Sequence, residues 1–184
     1  MANVLVISGH PDLSHSLANR TILETLRACG LSFTLRRLDE TPFRFDVEEE
    51  QALLKKADVI VLQFPMFWYS FPALMKYWLE QVFTHGFAYG SESTALKGKK
   101  FLISFTTGSP KEAFGEGAPN AHTLEEYTYS LKQIAAMCGM EYLEPIVTCA
   151  AAYIPGVSPE GDQDRIAAAC KEHGEKLAAV LKAL

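Results

Sequence analysis

Short runs of β-branched and aromatic residues alternate five times with longer stretches of helical period along this chain of 184 residues. In chain order, the predicted strands and helices cover residues 4–8, 16–29, 32–38, 47–56, 59–64, 72–83, 101–106, 123–138, 142–149 and 159–184. The strands that begin at Val4, Val59 and Phe101 are apolar throughout, as strands covered on both faces are. The pattern predicts an α/β fold with a parallel sheet between two helix layers.

Length and composition limit the number of domains and the classes of partner. With 48% hydrophobic and 21% charged residues, the chain has enough material for one core, so we expect a single domain over residues 1–184. A net charge of -5, with acidic and basic residues interspersed, argues against nucleic acid as a partner. The sequence shows neither a secretory signal nor the long apolar run of a membrane span, so we expect a cytoplasmic protein.

The four cysteines, at positions 29, 138, 149 and 170, show no zinc-ligand spacing. We therefore expect reduced thiols and no metal site.

The loop after the first predicted strand, residues 8–20, is rich in hydroxyl side chains and leads into a helix that begins near Ser16. Ligands of open parallel sheets bind beyond the carboxyl ends of the strands, where this loop lies. A helix start offers unpaired N–H groups and a positive dipole end, and Ser14, Ser16 and Asn19 add neutral donors for a phosphate. The loop lacks the dinucleotide fingerprint and the Walker lysine. Taken alone, it fits an ordinary serine N-cap as well as an anion site.

The loop after the third predicted strand, residues 63–72, is crowded with aromatic side chains. Loops are normally polar, so this concentration of rings indicates a flat aromatic ligand such as an isoalloxazine, or a partner surface. The same rings also fit an extension of the core or a dimer interface.

The loop after the fourth predicted strand, residues 105–110, places Gly108 next to the hydroxyls of Thr106 and Thr107. Glycine permits a ligand to approach the backbone closely, although by itself this segment is only a turn. The three loops follow strands whose carboxyl ends meet at one edge of the sheet, so we expect them to form one site. Together they indicate a ligand-binding site far more specifically than any one of them does.

These loops and their surroundings resemble the flavodoxin-like NAD(P)H:quinone oxidoreductase family, and within it the ancillary oxidoreductase subunits of bacterial glutathione-gated potassium efflux systems. The resemblance runs through much of the chain and fades after about residue 149. The segments that carry it are residues 10–11, 14–19, 57–58, 64–70, 72–76, 81–90, 95–99 and 106–108.

The resemblance implies a flavodoxin-like three-layer sandwich with a five-stranded parallel sheet in the order 2-1-3-4-5. It also implies FMN, or alternatively FAD, as cofactor, NAD(P)H as electron donor, a quinone as acceptor, and a homodimer with the active site at the interface. The residues that it implies for the cofactor are His10, Ser16, Leu17, Ala18, Asn19, Pro65, Met66, Phe67, Trp68, Tyr69, Thr106, Thr107, Gly108 and Ser109. Of these, His10 and residues 16–19 would hold the phosphate, and the others the ribityl chain and ring.

Two positions depart from the family pattern: Ser109 stands where a second glycine is common, and Phe114 stands near a position where members carry tyrosine. Phe114 cannot donate a proton. We expect Trp68 and Phe114 to contact the quinone, and His122 is the candidate proton donor because histidine titrates near neutrality. An exposed loop histidine is the alternative interpretation of His122. The implied chemistry passes hydride from NAD(P)H through the flavin N5 to the quinone in a ping-pong sequence.

Two other functions are alternatives. The first is a regulatory subunit that binds a potassium-efflux antiporter at the inner membrane, with the flavin site serving as structure or sensor. The second is an electron-transfer flavodoxin. Such carriers are usually strongly acidic, and a net charge of -5 with 17 lysines and arginines is modest, which disfavours this function.

Overall fold

The computed structural model describes residues 2–93 and 95–184, and this part of the chain forms one parallel sheet. Its strands run in the order β2-β1-β3-β4-β5, and β6 also pairs with β4. The predicted sheet order is confirmed. The strands are β1 (Val4–Ser8), β2 (Thr34–Arg37), β3 (Val59–Pro65), β4 (Lys100–Thr106), β5 (Glu141–Tyr142) and β6 (Ile146–Thr148).

Helices cover both faces of the sheet, which confirms the predicted three layers. The core on one face is built from α1 and α6, and the core on the other face from α2, α3 and α5. The helices are α1 (Leu17–Ala28), α2 (Val47–Lys56), α3 (Ala73–Val82), α4 (Leu124–Tyr127), α5 (Tyr129–Met137) and α6 (Asp162–Lys182). Within residues 2–93 and 95–184, no helix combines the length and the apolar character needed to cross a membrane.

Strand periodicity sorts the core residues between the two layers. Side chains alternate across a strand, so Val4 and Val6 of β1 pack under α1 and α6, while Leu5 and Ile7 pack on the opposite face. On the α1/α6 face, apolar residues give way to buried polar ones near the carboxyl ends of the strands. This group, here called the polar layer, consists of Ser8, Gln63, Ser104 and Thr106 from the sheet and Asn19 and His173 from the helices.

The prediction of one continuous fifth strand over residues 142–149 is wrong. The chain forms two short strands here, β5 and β6, which pair with the first and last thirds of β4 and are separated by residues 143–145. Pro145 has no N–H to donate to a ladder, which accounts for an interruption at this position. The sheet therefore has six strands rather than five in the part of the chain that is described.

Two helix predictions also need correction. The predicted helix over residues 123–138 is divided at Thr128, whose hydroxyl donates to the carbonyl oxygen of Glu125 at 2.8 Å. The short first half is fixed by a capping box between Thr123 and Glu126. The last helix begins at Asp162 rather than at residue 159, because Gly161 has φ 86° and ends the preceding turn.

Helices α1 and α6 approach each other closely at Gly174. A Cβ atom at this position would lie 2.7 Å from the Cβ of Thr25 and 2.9 Å from the carbonyl oxygen of Ile22. Glycine is required here for close contact between the helices rather than for backbone freedom.

Candidate active site

A cavity of about 390 Å³ opens at the carboxyl ends of β1, β3 and β4, where a doubly wound sheet binds its ligands. Loops that follow these strands and β6 surround it. It is lined by His10, His15, Ser16, Leu17, Ala18, Asn19, Pro65, Met66, Phe67, Thr106, Thr107, Gly108, Ala151, Ala152 and Tyr153.

The loop between β1 and α1 is tied to the sheet at both ends. The N–H of Gly9 donates to the carbonyl oxygen of Gln63 at 2.9 Å, and the N–H of Leu13 donates to the Asp39 carboxylate at 3.0 Å. A Cβ at Gly9 would lie 2.5 Å from Cε of Met75, so only glycine fits this path. Burial opposes ionisation of Asp39, but hydrogen bonds from Arg37 and Leu13 outweigh it and lower the pKa of this carboxyl.

Ser16 is the N-cap of α1, as the sequence predicts. It has an extended backbone, and its Oγ accepts the N–H of Asn19 at 3.2 Å. The N–H groups of Leu17 and Ala18, in the first turn, have no acceptor within the helix. Because both residues line the cavity, the positive end of the helix faces a place where an anion can bind.

His10 also lines this cavity. Its Nδ1 accepts the backbone N–H of Asp12 at 3.0 Å, so the proton of the neutral ring is on Nε2. Burial lowers the pKa of His10 below its ordinary value, despite the opposing effects of Asp12 and Asp39. The ring also lies edge-on to Phe67, with centroids 6.1 Å apart.

The segment after β3 is a tight aromatic turn. Phe67 and Ser70 exchange two backbone hydrogen bonds of 2.9 and 3.1 Å, and Trp68 and Tyr69 between them have φ values of 47° and 65°. Turns with both central residues at positive φ normally carry Asn-Gly, because larger side chains are strained there. Trp68 is nevertheless 89% exposed and Tyr69 50% exposed.

A second, smaller cavity of about 250 Å³ adjoins the first and shares Met66, Thr107 and Gly108 with it. Its remaining lining residues are Trp68, Tyr69, Ser109, Phe114 and Asn120. Among the described residues, the buried Nδ2 of Asn120 has no hydrogen-bond partner.

The wall of this smaller cavity is braced by Tyr127 of α4. Its hydroxyl donates to the carbonyl oxygen of Asn120, and its ring stacks on that of Tyr69. The ring of Phe114 lies edge-on to Tyr127, with centroids 6.0 Å apart.

The loop after β4 is fixed by neighbours on both sides. The N–H of Met66 donates to the carbonyl oxygen of Thr106 at 2.7 Å, and the N–H of Thr107 donates to that of Thr148 at 3.0 Å. The Thr107 hydroxyl donates to the carbonyl oxygen of Ser109 at 2.8 Å, so its proton is used within the loop. The sequence predicts both threonine hydroxyls as donors to a ligand. Of these two hydroxyls, only that of Thr106 is not already donating to another group among the described residues.

All fourteen residues predicted for the cofactor line one of the two cavities, and so does Phe114. His122 does not line either of them. Its side chain is 63% exposed, its Nδ1 lies 3.7 Å from Glu126, and its ring packs edge-on to Tyr127 behind the cavity wall.

A dimer interface built from the aromatic residues 67–78 would need them all to be exposed, and part of this group is not. Phe71 is 8% exposed and Trp78 is fully buried. Trp78 donates its ring N–H to the Glu50 carboxylate at 3.0 Å. Within residues 67–78, the exposed aromatic side chains are those of Phe67, Trp68 and Tyr69.

Several lining residues were not predicted: His15, Asn120, Ala151, Ala152 and Tyr153. The last three follow β6, whose carboxyl end lies at the same edge of the sheet as those of β3 and β4. The rule that identified the other loops therefore also applied to this one. No local pattern marks Asn120, which the fold brings to the cavity through the irregular segment before α4.

Comparison with known proteins agrees with this geometry. A family model described as a flavodoxin-like fold matches residues 2–177. The ancillary protein KefF of the glutathione-regulated potassium-efflux system of Enterobacter sp. (strain 638) is 39% identical over 145 residues, which cover 77% of this chain and 80% of KefF.

Two solved structures are also similar. General stress protein 14 of Treponema denticola, in complex with FMN, superposes with a TM-score of 0.84 at 27% identity, covering 96% of this chain and 98% of that one. An NADPH-quinone reductase of P. pentosaceus gives 0.77 at 31% identity, covering 94% and 97%. The resemblance drawn from the motifs is confirmed, and the chain belongs to the flavodoxin-like family that contains these NAD(P)H:quinone reductase relatives.

Proposed function

We propose that this protein is an FMN-dependent NAD(P)H:quinone oxidoreductase. One observation carries the proposal: the two adjoining cavities, one with helix-end and hydroxyl donors and the other with aromatic walls, share Met66, Thr107 and Gly108. A phosphate with a planar ring needs both kinds of surface next to each other.

The donor set fits the phosphate of a flavin. Ser16, Leu17 and Ala18 offer neutral donors at the positive end of α1, and the Nε2–H of His10 adds another. Met66, Phe67 and the backbone around Gly108 would receive the ribityl chain and ring. The FMN complex of the Treponema denticola relative supports FMN rather than FAD.

When bound, the flavin supplies two-electron hydride transfer between NAD(P)H and a quinone. The chain holds each substrate against the ring and excludes water, with Trp68, Tyr69 and Phe114 as the walls of the smaller cavity. Asn120 lines this cavity, and its buried Nδ2 has no hydrogen-bond partner among the described residues; we propose that it donates to a carbonyl oxygen of the quinone after the side chain turns. His122 lies behind the wall, so a proton from it would reach the cavity through water.

Because the smaller cavity is a single space beside the first, we propose that NAD(P)H and quinone occupy it in turn. Double-reciprocal plots at several quinone concentrations should then be parallel. Intersecting plots would mean a ternary complex and a separate second site. The NADPH-quinone reductase of P. pentosaceus supports both the donor and the acceptor class.

The first test of the proposal is the cofactor. The purified protein should be yellow, mass analysis of the released cofactor should identify FMN, and anaerobic NADH or NADPH should bleach the flavin absorption before any acceptor is added. A colourless protein that fails to bind added FMN would overturn the proposal.

The exposure of Trp68 supports the implied homodimer. A tryptophan that is 89% exposed on a strained turn is typical of a residue that a partner surface covers. Light scattering at micromolar concentration should give the mass of a dimer, and Trp68→Ala should weaken it. A monomeric wild type would contradict this part of the proposal.

A second function is favoured by the 39% identity with KefF: regulation of a potassium-efflux antiporter in which the flavin site is structural or sensory. This would bring a cytoplasmic protein to the inner membrane through its partner. Potassium efflux from cells that contain the antiporter should rise when the protein is supplied. If a variant that binds FMN but does not reduce quinones raises efflux equally, regulation is separate from catalysis.

A further inference from the structure

Part of the polar layer is a chain of hydrogen bonds that runs from the centre of the sheet to the wall of the main cavity. It begins at Gln63 on the central strand β3, whose Nε2–H donates to Oδ1 of Asn19 at 2.5 Å. The Nδ2 of Asn19 then donates to Oγ of Ser16 and to Oγ1 of Thr106, each at 3.3 Å. Gln63 is fully buried and Asn19 is 2% exposed, so water does not compete with these bonds.

The direction of these bonds decides whether Ser16 and Thr106 present hydroxyl protons or only acceptor oxygens to the cavity. Both hydrogens of the Asn19 amide are spent on Ser16 and Thr106, so Asn19 has none left for a ligand. Ser16 and Thr106 act only as acceptors among the described residues, and Ser16 also accepts the backbone N–H of Asn19. Each hydroxyl therefore keeps its proton for the cavity, which both residues line.

We propose that Gln63 is a positioning residue that sets the direction of this chain, so that Ser16 and Thr106 present hydroxyl protons to the oxygen atoms of the bound cofactor. The inference deepens the proposed function and rests on it, because the cofactor is taken to be FMN. Asn19 acts as the relay, and Gln63 does not line either cavity.

An asparagine amide has nearly the same shape in either orientation, so its hydrogen-bond partners decide how it lies. In the opposite orientation, Oδ1 of Asn19 would face Ser16 and Thr106 and draw both hydroxyl protons away from the cavity. Gln63 prevents this by donating to that oxygen.

The strand register accounts for the orientation of Gln63 itself. Ser8 of β1 is directly paired with Gln63, and both are fully buried on the same face of the sheet. Among the described residues, Oγ of Ser8 and Oε1 of Gln63 have no hydrogen-bond partner, and they do not bond each other. A neighbouring hydroxyl can donate to an amide oxygen, so Ser8 favours the orientation of Gln63 in which Oε1 lies on its side and Nε2 serves Asn19.

The test uses Gln63→Met, which keeps the length of the side chain but cannot donate. We expect the affinity for FMN, measured by quenching of flavin fluorescence, to fall about tenfold, with a smaller loss for riboflavin, which lacks the phosphate that Ser16 would bind. Gln51→Met is the matched control, because Gln51 bonds Val82 and Thr84 away from the cavity. If wild type binds FMN and Gln63→Met binds it within twofold, the inference fails. If wild type itself does not bind FMN, the proposed function fails instead.

A double-mutant cycle tests whether Gln63 acts through the two hydroxyls. In a Ser16→Ala, Thr106→Val background, Gln63→Met should cause no further loss of FMN affinity. A further tenfold loss would show that Gln63 acts by another route and would overturn the assignment.

Gln63→Glu gives a pH dependence of FMN affinity that a merely structural role of Gln63 would not give. This variant also tests the inference if Gln63→Met does not fold. A protonated glutamic acid donates to Asn19 as glutamine does, whereas the carboxylate can only accept. Burial raises the pKa of such a carboxyl above its ordinary value, so its change from acid to carboxylate should move toward neutral pH. The FMN affinity of the variant, divided by that of wild type at the same pH, should approach one at pH 5.5 and fall as the pH rises. The division removes the titration of His10 and of the phosphate, and His173, which bonds Ser104 beside Gln63, stays neutral above its pKa of about 4. A ratio that does not change with pH would contradict the inference.

Discussion

The rings of Tyr69 and Tyr127 stack with centroids 5.4 Å apart and planes 23° apart, which joins the aromatic turn after β3 to helix α4. Such a pair contributes about 0.5–1.5 kcal/mol beyond the area it buries. We expect Tyr127→Leu to loosen the wall of the smaller cavity and to lower kcat/KM for bulky quinones about fivefold. FMN affinity should stay unchanged, because the proposed phosphate site lies at the start of α1, away from Tyr127.

Tyr127→Phe is the matched control for this prediction, because it keeps the ring and loses only the hydrogen bond to Asn120. It should remain closer to wild type than Tyr127→Leu in steady-state assays. An equal loss of FMN affinity and of turnover in Tyr127→Leu would mean that α4 supports the whole site rather than one wall.

Substitutions at Ser16 separate its capping role from its binding role. Ser16→Ala removes both and should cost about 1 kcal/mol of stability in addition to FMN affinity. Ser16→Asp keeps a good N-cap but places a negative charge beside the proposed phosphate site. We expect Ser16→Asp to unfold near the wild-type temperature as apo-protein and to bind FMN at least tenfold more weakly. If Ser16→Asp binds FMN as wild type does, the helix end does not hold the phosphate.

His173 makes the stability of the apo-protein dependent on pH. Its ring nitrogens lie 2.8 Å from Oγ of Ser104 and 2.9 Å from Oγ1 of Thr148, and burial, with a smaller effect of Lys176, lowers its pKa to about 4. In the unfolded chain a histidine titrates near 6.5. As the pH falls from 6.5 to 4, the unfolded state takes up a proton that the folded state does not, so stability falls.

At pH 4.5 this difference amounts to roughly 2–3 kcal/mol. Urea unfolding at pH 7 and pH 4.5 should show that His173→Gln loses less stability between the two pH values than wild type does, because glutamine does not titrate. Carboxylates contribute equally in both proteins. An identical loss would indicate that His173 is solvated or already charged in the native state.

The close approach of α1 and α6 makes Gly174→Ala destabilising, although alanine is the better helix former. The gain in helix propensity is about 1 kcal/mol, whereas a Cβ 2.7 Å from the Cβ of Thr25 forces the helices apart. We expect a net loss of about 1–2 kcal/mol in chemical denaturation. Thr25→Ala should recover only a small part of it in the double variant, since it removes the Cγ2 atom at 2.9 Å but keeps the Cβ of residue 25 and the contact with Ile22. An increase in stability would mean that the helices can separate at little cost.

The strands and the three loops beyond them were predictable because each depends on a local pattern. The apolar runs at Val4, Val59 and Phe101 mark covered strands, and the carboxyl ends of parallel strands meet at one edge of the sheet. The interruption at Pro145 was also visible in the sequence, since a proline cannot donate to a ladder. Trp78 lies one turn beyond Leu74 on the apolar face of α3, so its burial followed from helix period.

Other features depend on contacts between distant residues and leave no local signal. The direction of the bonds from Gln63 through Asn19 needs two elements 44 residues apart to meet in one orientation. The turn at Trp68 and Tyr69 breaks the usual rule for positive φ, so turn chemistry could not predict it.

The divided strand at the edge of the sheet affects whether copies of the protein can associate through their sheets. Sheet edges with long runs of unpaired N–H and C=O groups recruit strands from other chains and start aggregation. In the described sheet, β2 is an edge of four residues that carries Arg36 and Arg37, and the opposite edge changes from β5 to β6 across Pro145. Neither edge gives an incoming strand a long uninterrupted template, so the proline that shortens the ladder also protects the protein against polymerisation through its sheet.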